Sequence, residues 1–243
     1  MMSEFNRSEY VSQSESLQNY ILNVFTHMGV GLALTAATAF TCYLSLIRGG
    51  IMYSFVFDGY PATMILMAVV QIGICIFLSV RLAKMSNATA MGLFYVYAVI
   101  TGITFSVLPL YFGIVTMFQA FVFTALMFGS CVVIGKTTHV DMTRFSGLLL
   151  GGLIAIIAAT VLQIFIPALR TDSFTLVICF AGIGIFLLLT VFDMQRIKQF
   201  YYSTPEGSLL RENLAVYGAF QLYLDFINIF LKVLRILASR NRK

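Results

Sequence analysis

The stretch LAVYGAFQLYLDFINIFLKVLRIL, residues 214–237, decides the fold. It is long enough to cross a bilayer, whose hydrocarbon takes about 20 apolar residues at about 1.5 Å of rise each. Yet Asp225 stands near its middle. A carboxylate at that depth costs about 2.5–3.5 kcal/mol on insertion scales, so it must face protein or water rather than lipid. The helix supplies such a face. Tyr217, Gln221, Asp225, Asn228, Lys232 and Arg235 follow one another at steps of three and four, which stack side chains on one side of a helix. A polar stripe on an otherwise apolar helix belongs in the centre of a bundle, turned toward a partner or an aqueous path.

Composition agrees. Of 243 residues, 60% are hydrophobic and 10% are charged, where soluble domains carry about 25% charged residues. The class is a polytopic all-α membrane protein whose main partner is the lipid bilayer. The net charge of +5 lies in loops and at the C-terminus, which is ordinary membrane topology and no sign of nucleic acid. Cys42, Cys75, Cys131 and Cys179 fall in separate apolar runs without a Cys-x-x-Cys pair, so they read as small core residues. His27 and His139 are isolated in sequence, and a histidine metal site is not expected. No cofactor is implied.

The chain divides into a polar tail (1–16), a seven-span domain (17–237) with the seventh helix central, and a basic tail (238–243). The N-terminus lacks the basic start and short apolar core of a signal peptide. Ser12-Gln-Ser-Glu15 fits a capping box, so the first helix is expected to start there and to cross as Val24 to Ile47. A loop through Asp58 and Pro61 leads to the second span, Ala62 to Val80, closed by Arg81 and Lys84. The third runs from Met91 to about Tyr111, kinked or ended by Pro109. The fourth covers Phe118 to Gly135, and the fifth Gly147 to Ile166, stopped by Pro167. The sixth runs from Phe174 to about Phe192, with an extension toward Phe200. A loop from Tyr201 to Glu212 precedes the seventh. On the fifth span Gly147, Gly151, Ala155 and Ala159 make a small-residue face, expected to pack closely on a neighbour. The loop charges favour a cytoplasmic N-terminus and the basic tail opposes it; early spans usually dominate.

Of the ten acids, only Asp193 and Asp225 lie against apolar sequence. They sit on consecutive helices, about 13 and about 18 residues from a turn near Pro205-Glu206-Gly207, a mismatch of about 7 Å of rise. Tilt can absorb that, so the two carboxyls can meet. Two carboxylates close together in a dry site share a proton and titrate in two linked steps. An arginine beside them would favour the ionised form. Arg81, at the end of the second span, is one candidate, and Arg196, three residues after Asp193, the other. Protonation would loosen such a tie, which makes a pH-sensitive latch. When ionised, Asp193, Asp225 and Asn228 could offer oxygens to a hard cation such as Ca²⁺. Gln221, Asn228 and Arg196 are secondary polar positions along the path.

Val191-Phe-Asp-Met-Gln-Arg-Ile-Lys198, Leu222-Tyr-Leu-Asp-Phe-Ile-Asn-Ile-Phe-Leu231 and Leu234-Arg-Ile-Leu237 resemble the signature of the Bax inhibitor-1 family, also called the transmembrane Bax inhibitor motif or lifeguard family. Phe94-Tyr-Val-Tyr through Gly102-Ile-Thr104 and the loop from Lys136 are similar too. The resemblance implies the seven-helix fold of the bacterial members, with the last helix wrapped by two three-helix layers. It implies a pH-sensitive Ca²⁺ leak in a bacterial cell membrane. It puts the sensor on Asp193 and Asp225, which are also the calcium-facing oxygens, and the latch on Arg81. Gln71 stands in the second span where an acid would extend the ion path.

Two other functions compete. A non-transporting membrane regulator, binding a protease or a cell-death factor, would look the same in sequence, because a partner surface resembles a lipid-facing one. An intramembrane aspartyl protease also carries two Asp on consecutive helices, but its second Asp follows Gly-x-Gly; here Tyr223-Leu224 precedes Asp225. No enzyme is expected. A retinal protein would need a lysine in mid-helix, and Lys232 lies near the end of the seventh span.

Overall fold

Long runs of Leu, Ile, Val, Phe and Ala without interior proline propagate helix until a breaker intervenes, and the fold follows that punctuation. The computed structural model describes residues 2–50, 53, 62–81, 84–138 and 140–241. The expected loop through Asp58 and Pro61, together with His139, Arg242 and Lys243, lies outside the described residues. The helices are α1 Met2–Ile47, α2 Ala62–Arg81, α3 Asn87–Phe105, α4 Leu108–Phe112, α5 Ile114–Thr137, α6 Ser146–Phe165, α7 Asp172–Ser203 and α8 Leu209–Asn241. No strand occurs among the described residues. Six stretches are long and apolar enough to cross a membrane, α3 and α4 counting as one, and α2 adds the shorter apolar segment Ile65–Arg81. Large apolar side chains stand outward along them, Val80, Val115, Leu148 and Phe165 among the most exposed. A surface of that kind is made for lipid. The chain is an all-α, multi-pass membrane protein.

Several boundaries depart from the sequence reading. The capping box at Ser12 starts nothing: α1 runs unbroken from Met2. Residues 2–15 contain neither Gly nor Pro, so propagation wins over a local cap. The third span runs to Phe112, near the expected Tyr111, but its helix breaks after Phe105, where the Ser106 N–H donates to the Ile103 carbonyl. Pro109 falls inside the short α4 instead. The break comes one turn early because a proline ring clashes with the carbonyl four residues before it, here that of Phe105. Ser86 caps the start of α3, its hydroxyl accepting from the Thr89 N–H at 3.2 Å. The connection expected over Tyr201–Glu212 shrinks to residues 204–208 between α7 and α8. No breaker precedes Pro205, and Gly207 takes φ +68° to turn the chain.

The small face of α6 does not pack as expected. Gly147, Gly151 and Ala155 are exposed, and a Cβ on either glycine would meet nothing within 4 Å. The neighbouring Gly152 does the packing, against Ile185 of α7. The reason is the opposite apolar face: Leu149 and Ile156 of α6 are the buried residues, and burying them turns the stripe outward.

The chain forms two compact units. The first comprises residues 1–107 and 196–220, the second 108–195 and 221–243. In the first, α1 lies on α3. Thr35 donates its hydroxyl between the Gly31 and Ala98 carbonyls, 3.0 Å from each. Gly102 lies so close to α1 that a Cβ there would stand 2.6 Å from the Thr35 carbonyl oxygen, and one at Gly31 would stand 2.6 Å from the Phe94 ring. Phe94 and Tyr97 meet Phe220 edge-on at 5.6 and 5.1 Å. Asn213, fully buried, donates to the Met85 carbonyl at 2.9 Å. In the second unit, Gly135 of α5 admits Met194 and Val191 of α7. Phe121 and Phe128 close on Phe226 at 5.6 and 5.5 Å. The α8 span is the most enclosed, with 61% of its apolar segment buried against 11–33% in the other five spans.

Replacing Gly102 by valine should therefore lower unfolding stability in detergent by about 2 kcal/mol or more, since backbone cannot yield as a side chain can. Gly151→Ala should stay within about 0.5 kcal/mol of the parent. Equal melting of the two variants would contradict this packing.

Candidate functional site

The candidate site lies within the second unit, where α7 and α8 each bring a carboxyl into the interior. Asp193 is 6% exposed and Asp225 is 4% exposed, and Asp193 is close enough to act on Asp225 through space. Burial follows from sequence spacing. On α8, Leu222, Phe226 and Ile229 are buried around Asp225; on α7, Val191, Met194 and Ile197 are buried around Asp193.

Thr190 is the residue that sequence reasoning missed. Its hydroxyl lies 2.8 Å from the Phe186 carbonyl and 3.2 Å from Asp225 Oδ2, and it is fully buried. A threonine hydroxyl has one proton and two lone pairs. The Phe186 carbonyl can only accept. If Thr190 donates to it, the contact to Asp225 is a hydrogen bond only when Asp225 carries a proton and donates to Oγ1. If Asp225 is ionised, Thr190 must choose between two acceptors. The signal was available: Asp193 lies 10 residues before Ser203 and Asp225 lies 16 after Leu209, while Thr190 lies 13 before Ser203. Helix register brings Thr190 nearer the level of Asp225.

Other polar groups collect in the same unit. The Gln221 side-chain oxygen, one turn before Asp225, is enclosed without a hydrogen-bond partner, as is the hydroxyl of Thr124 on α5. Thr124 falls between Phe121 and Phe128, whose rings close on Phe226. Asn228 donates its amide to the Leu224 carbonyl at 2.8 Å. Among the described residues no cluster of three or more His, Cys, Asp or Glu could hold a metal. Two carboxylates with neutral oxygens fall short of the six to eight ligands of a tight Ca²⁺ site. A cation here would keep part of its water.

The remaining predicted positions belong to the first unit. Arg81 is the last residue of α2 and is exposed. Arg196 is half-buried, with its guanidinium 5.4 Å from the Phe200 ring centre. His27 pairs through Nδ1 with the Tyr95 hydroxyl at 2.8 Å, an ordinary core contact. In the second unit, the loop acid Asp141 is exposed, and the Thr143 hydroxyl and N–H, at 2.6 and 3.0 Å, hold its carboxyl below the usual carboxylate range.

Comparison with known proteins covers almost the whole chain. The family model described as "Inhibitor of apoptosis-promoting Bax1" matches residues 17–242. The inner membrane protein YbhL of Escherichia coli is 32% identical over 242 residues, 98% of this chain and 100% of that protein. A Rickettsia prowazekii protein is 32% identical over 226 residues, 93% of this chain and 92% of its own length. A Borreliella burgdorferi protein is 30% identical over 221 residues, 91% of this chain and 92% of its own.

Thr190→Val, which keeps shape but deletes the hydroxyl, should lower stability by about 1–3 kcal/mol because a buried carboxyl loses its partner; Thr190→Ser should recover most of that. Asp141→Asn should leave any titration between pH 5 and 8 unchanged, since Asp141 stays ionised throughout that range. Unfolding in detergent and a pH titration of intrinsic tyrosine fluorescence measure the two.

Proposed function

The chain belongs to the Bax inhibitor-1 family, and from that premise we propose that it is a passive cation leak, for Ca²⁺, gated by pH through Asp193 and Asp225. The observation that carries this reading is the Thr190 hydroxyl between the Phe186 carbonyl and Asp225 Oδ2. Both contacts are satisfied when Asp225 holds a proton, and one is lost when it does not. The proton on Asp225 is thereby tied to the contact between α7 and α8, and a contact tied to protonation is what a gate needs.

The weakness of the site as a metal trap supports conduction. An ion must bind well enough to enter and loosely enough to leave. Two carboxylates, the free Gln221 oxygen and the free Thr124 hydroxyl offer partial replacement for a hydration shell. In this reading Asp193 and Asp225 divide one proton, and the released carboxylates attract the cation. Arg81 is the latch that the family resemblance assigns. No catalytic step is involved. The rival of a non-transporting regulator rests on the same fold and would leave the acids as structural ties.

The test is flux. In liposomes loaded with a Ca²⁺ indicator, the wild type should pass Ca²⁺ at a rate that changes several-fold between pH 6 and 8, since a single titration shifts the charged fraction by up to about tenfold per pH unit. Asp193→Asn and Asp225→Asn should each flatten that dependence. Arg81→Ala should displace its midpoint, and Gln221→Leu should reduce the rate without moving the midpoint. Flux equal to empty vesicles from folded protein would contradict the leak and leave the regulator.

A further inference from the structure

The second unit also holds a cavity of about 320 Å³, at the low end of the size range for small-ligand sites. Its wall is apolar, including Ile157 and Val161 of α6 and Leu231 of α8. Asn228, Lys232 and Arg235 line it from one face of α8, and Thr160 of α6 adds a hydroxyl that already donates to the Ile156 carbonyl. Neither Lys232 nor Arg235 has a hydrogen bond or an ion pair among the described residues. Lys232 is half-buried and Arg235 is exposed; two cations one turn apart beside an apolar wall offer charge-assisted hydrogen bonds to an anion.

The structure holds Lys232 in that wall. A Cβ on Gly182 of α7 would collide with the Lys232 methylenes, so the missing side chain leaves the slot through which they pass. The ammonium ends 5.6 Å from the centre of the Phe186 ring. A lysine near the end of a span commonly extends toward the headgroups; this one is threaded against α7 instead. Depth selects the anion. Arg235 lies five residues before Arg240, where the α8 span ends, about 7 Å of rise. The span's 32 residues exceed the roughly 20 that cross hydrocarbon, so a residue this near its end falls where headgroups meet acyl chains, and basic pockets between membrane helices receive lipid headgroups there.

We infer that this cavity binds the phosphodiester of an anionic phospholipid, with the phosphate on Lys232 and Arg235 and the start of an acyl chain along Ile157, Val161 and Leu231. A free phosphate shares the headgroup chemistry but has no use for the apolar wall. The site uses neither Asp193 nor Asp225, so it stands whether or not the leak does.

The experiment is native mass spectrometry of the full chain in detergent, titrated with phosphatidylglycerol, phosphatidylcholine or inorganic phosphate. Phosphatidylglycerol should be retained at least about tenfold better than phosphatidylcholine, and inorganic phosphate should not displace it. K232Q/R235Q should abolish the preference. G182A keeps every charge but pushes Lys232 from its slot; it should weaken retention several-fold while melting no lower than the parent without added lipid, and it carries the test should the double variant misfold. Equal retention of the two lipids, an undiminished preference in either variant, or displacement by inorganic phosphate would overturn the assignment.

Discussion

A carboxyl group inside a membrane span must be enclosed by protein, neutralised or watered, because hydrocarbon offers it nothing. Asp225 imposes that requirement on α8, and Asp193 imposes it on α7. Both side chains are almost fully buried in one compact unit, within electrostatic reach of each other, with Thr190 on Asp225. The high enclosure of α8 follows from that need. The apolar residues beside Asp225 are large, Leu222, Phe226 and Phe230, and their burial supplies the hydrophobic stabilisation against which a buried acid pair can be tolerated.

Much of this was legible in sequence because membrane spans punctuate themselves. Span positions, the separation of Asp193 and Asp225 onto consecutive helices, and family membership all rest on long-range patterns that local noise does not erase. Local signals fared worse. Ser12 has the spacing of a cap, but nothing before it stops a helix. Pro109 marks a break, yet the break belongs one turn earlier, where its ring would strike a carbonyl. The glycine–alanine stripe on α6 looks like a packing face, but lipid tails and neighbouring helices are equally apolar. Close approach falls instead to Gly31, Gly102, Gly135 and Gly152, whose spacing is less regular and whose neighbours are visible only in three dimensions. Thr190 was missed for another reason: a threonine in an apolar helix draws notice only when both helices are counted back from their common turn.

The polar stripe on α8 also divides into parts with different physical demands. Gln221 and Asp225 supply oxygens in the middle of the helix. Lys232 and Arg235 supply cations toward its end, beside a cavity. One periodic pattern thus carries two chemistries, separated by about 10 Å of rise between Asp225 and Lys232. Periodicity alone reports a polar face; which groups are paired and which are not comes from the packing of α6 and α7 around it.

The most direct measurement is infrared titration of the carboxyl groups in the wild type, Asp193→Asn, Asp225→Asn and Thr190→Val proteins. A proton divided between two interacting acids should leave in two steps, and removing either acid should collapse these to one step at a changed pH. Thr190→Val should shift the band of the protonated carboxyl. Two independent titrations, each untouched by loss of the other acid or of the threonine, would contradict the shared proton on which the gate depends.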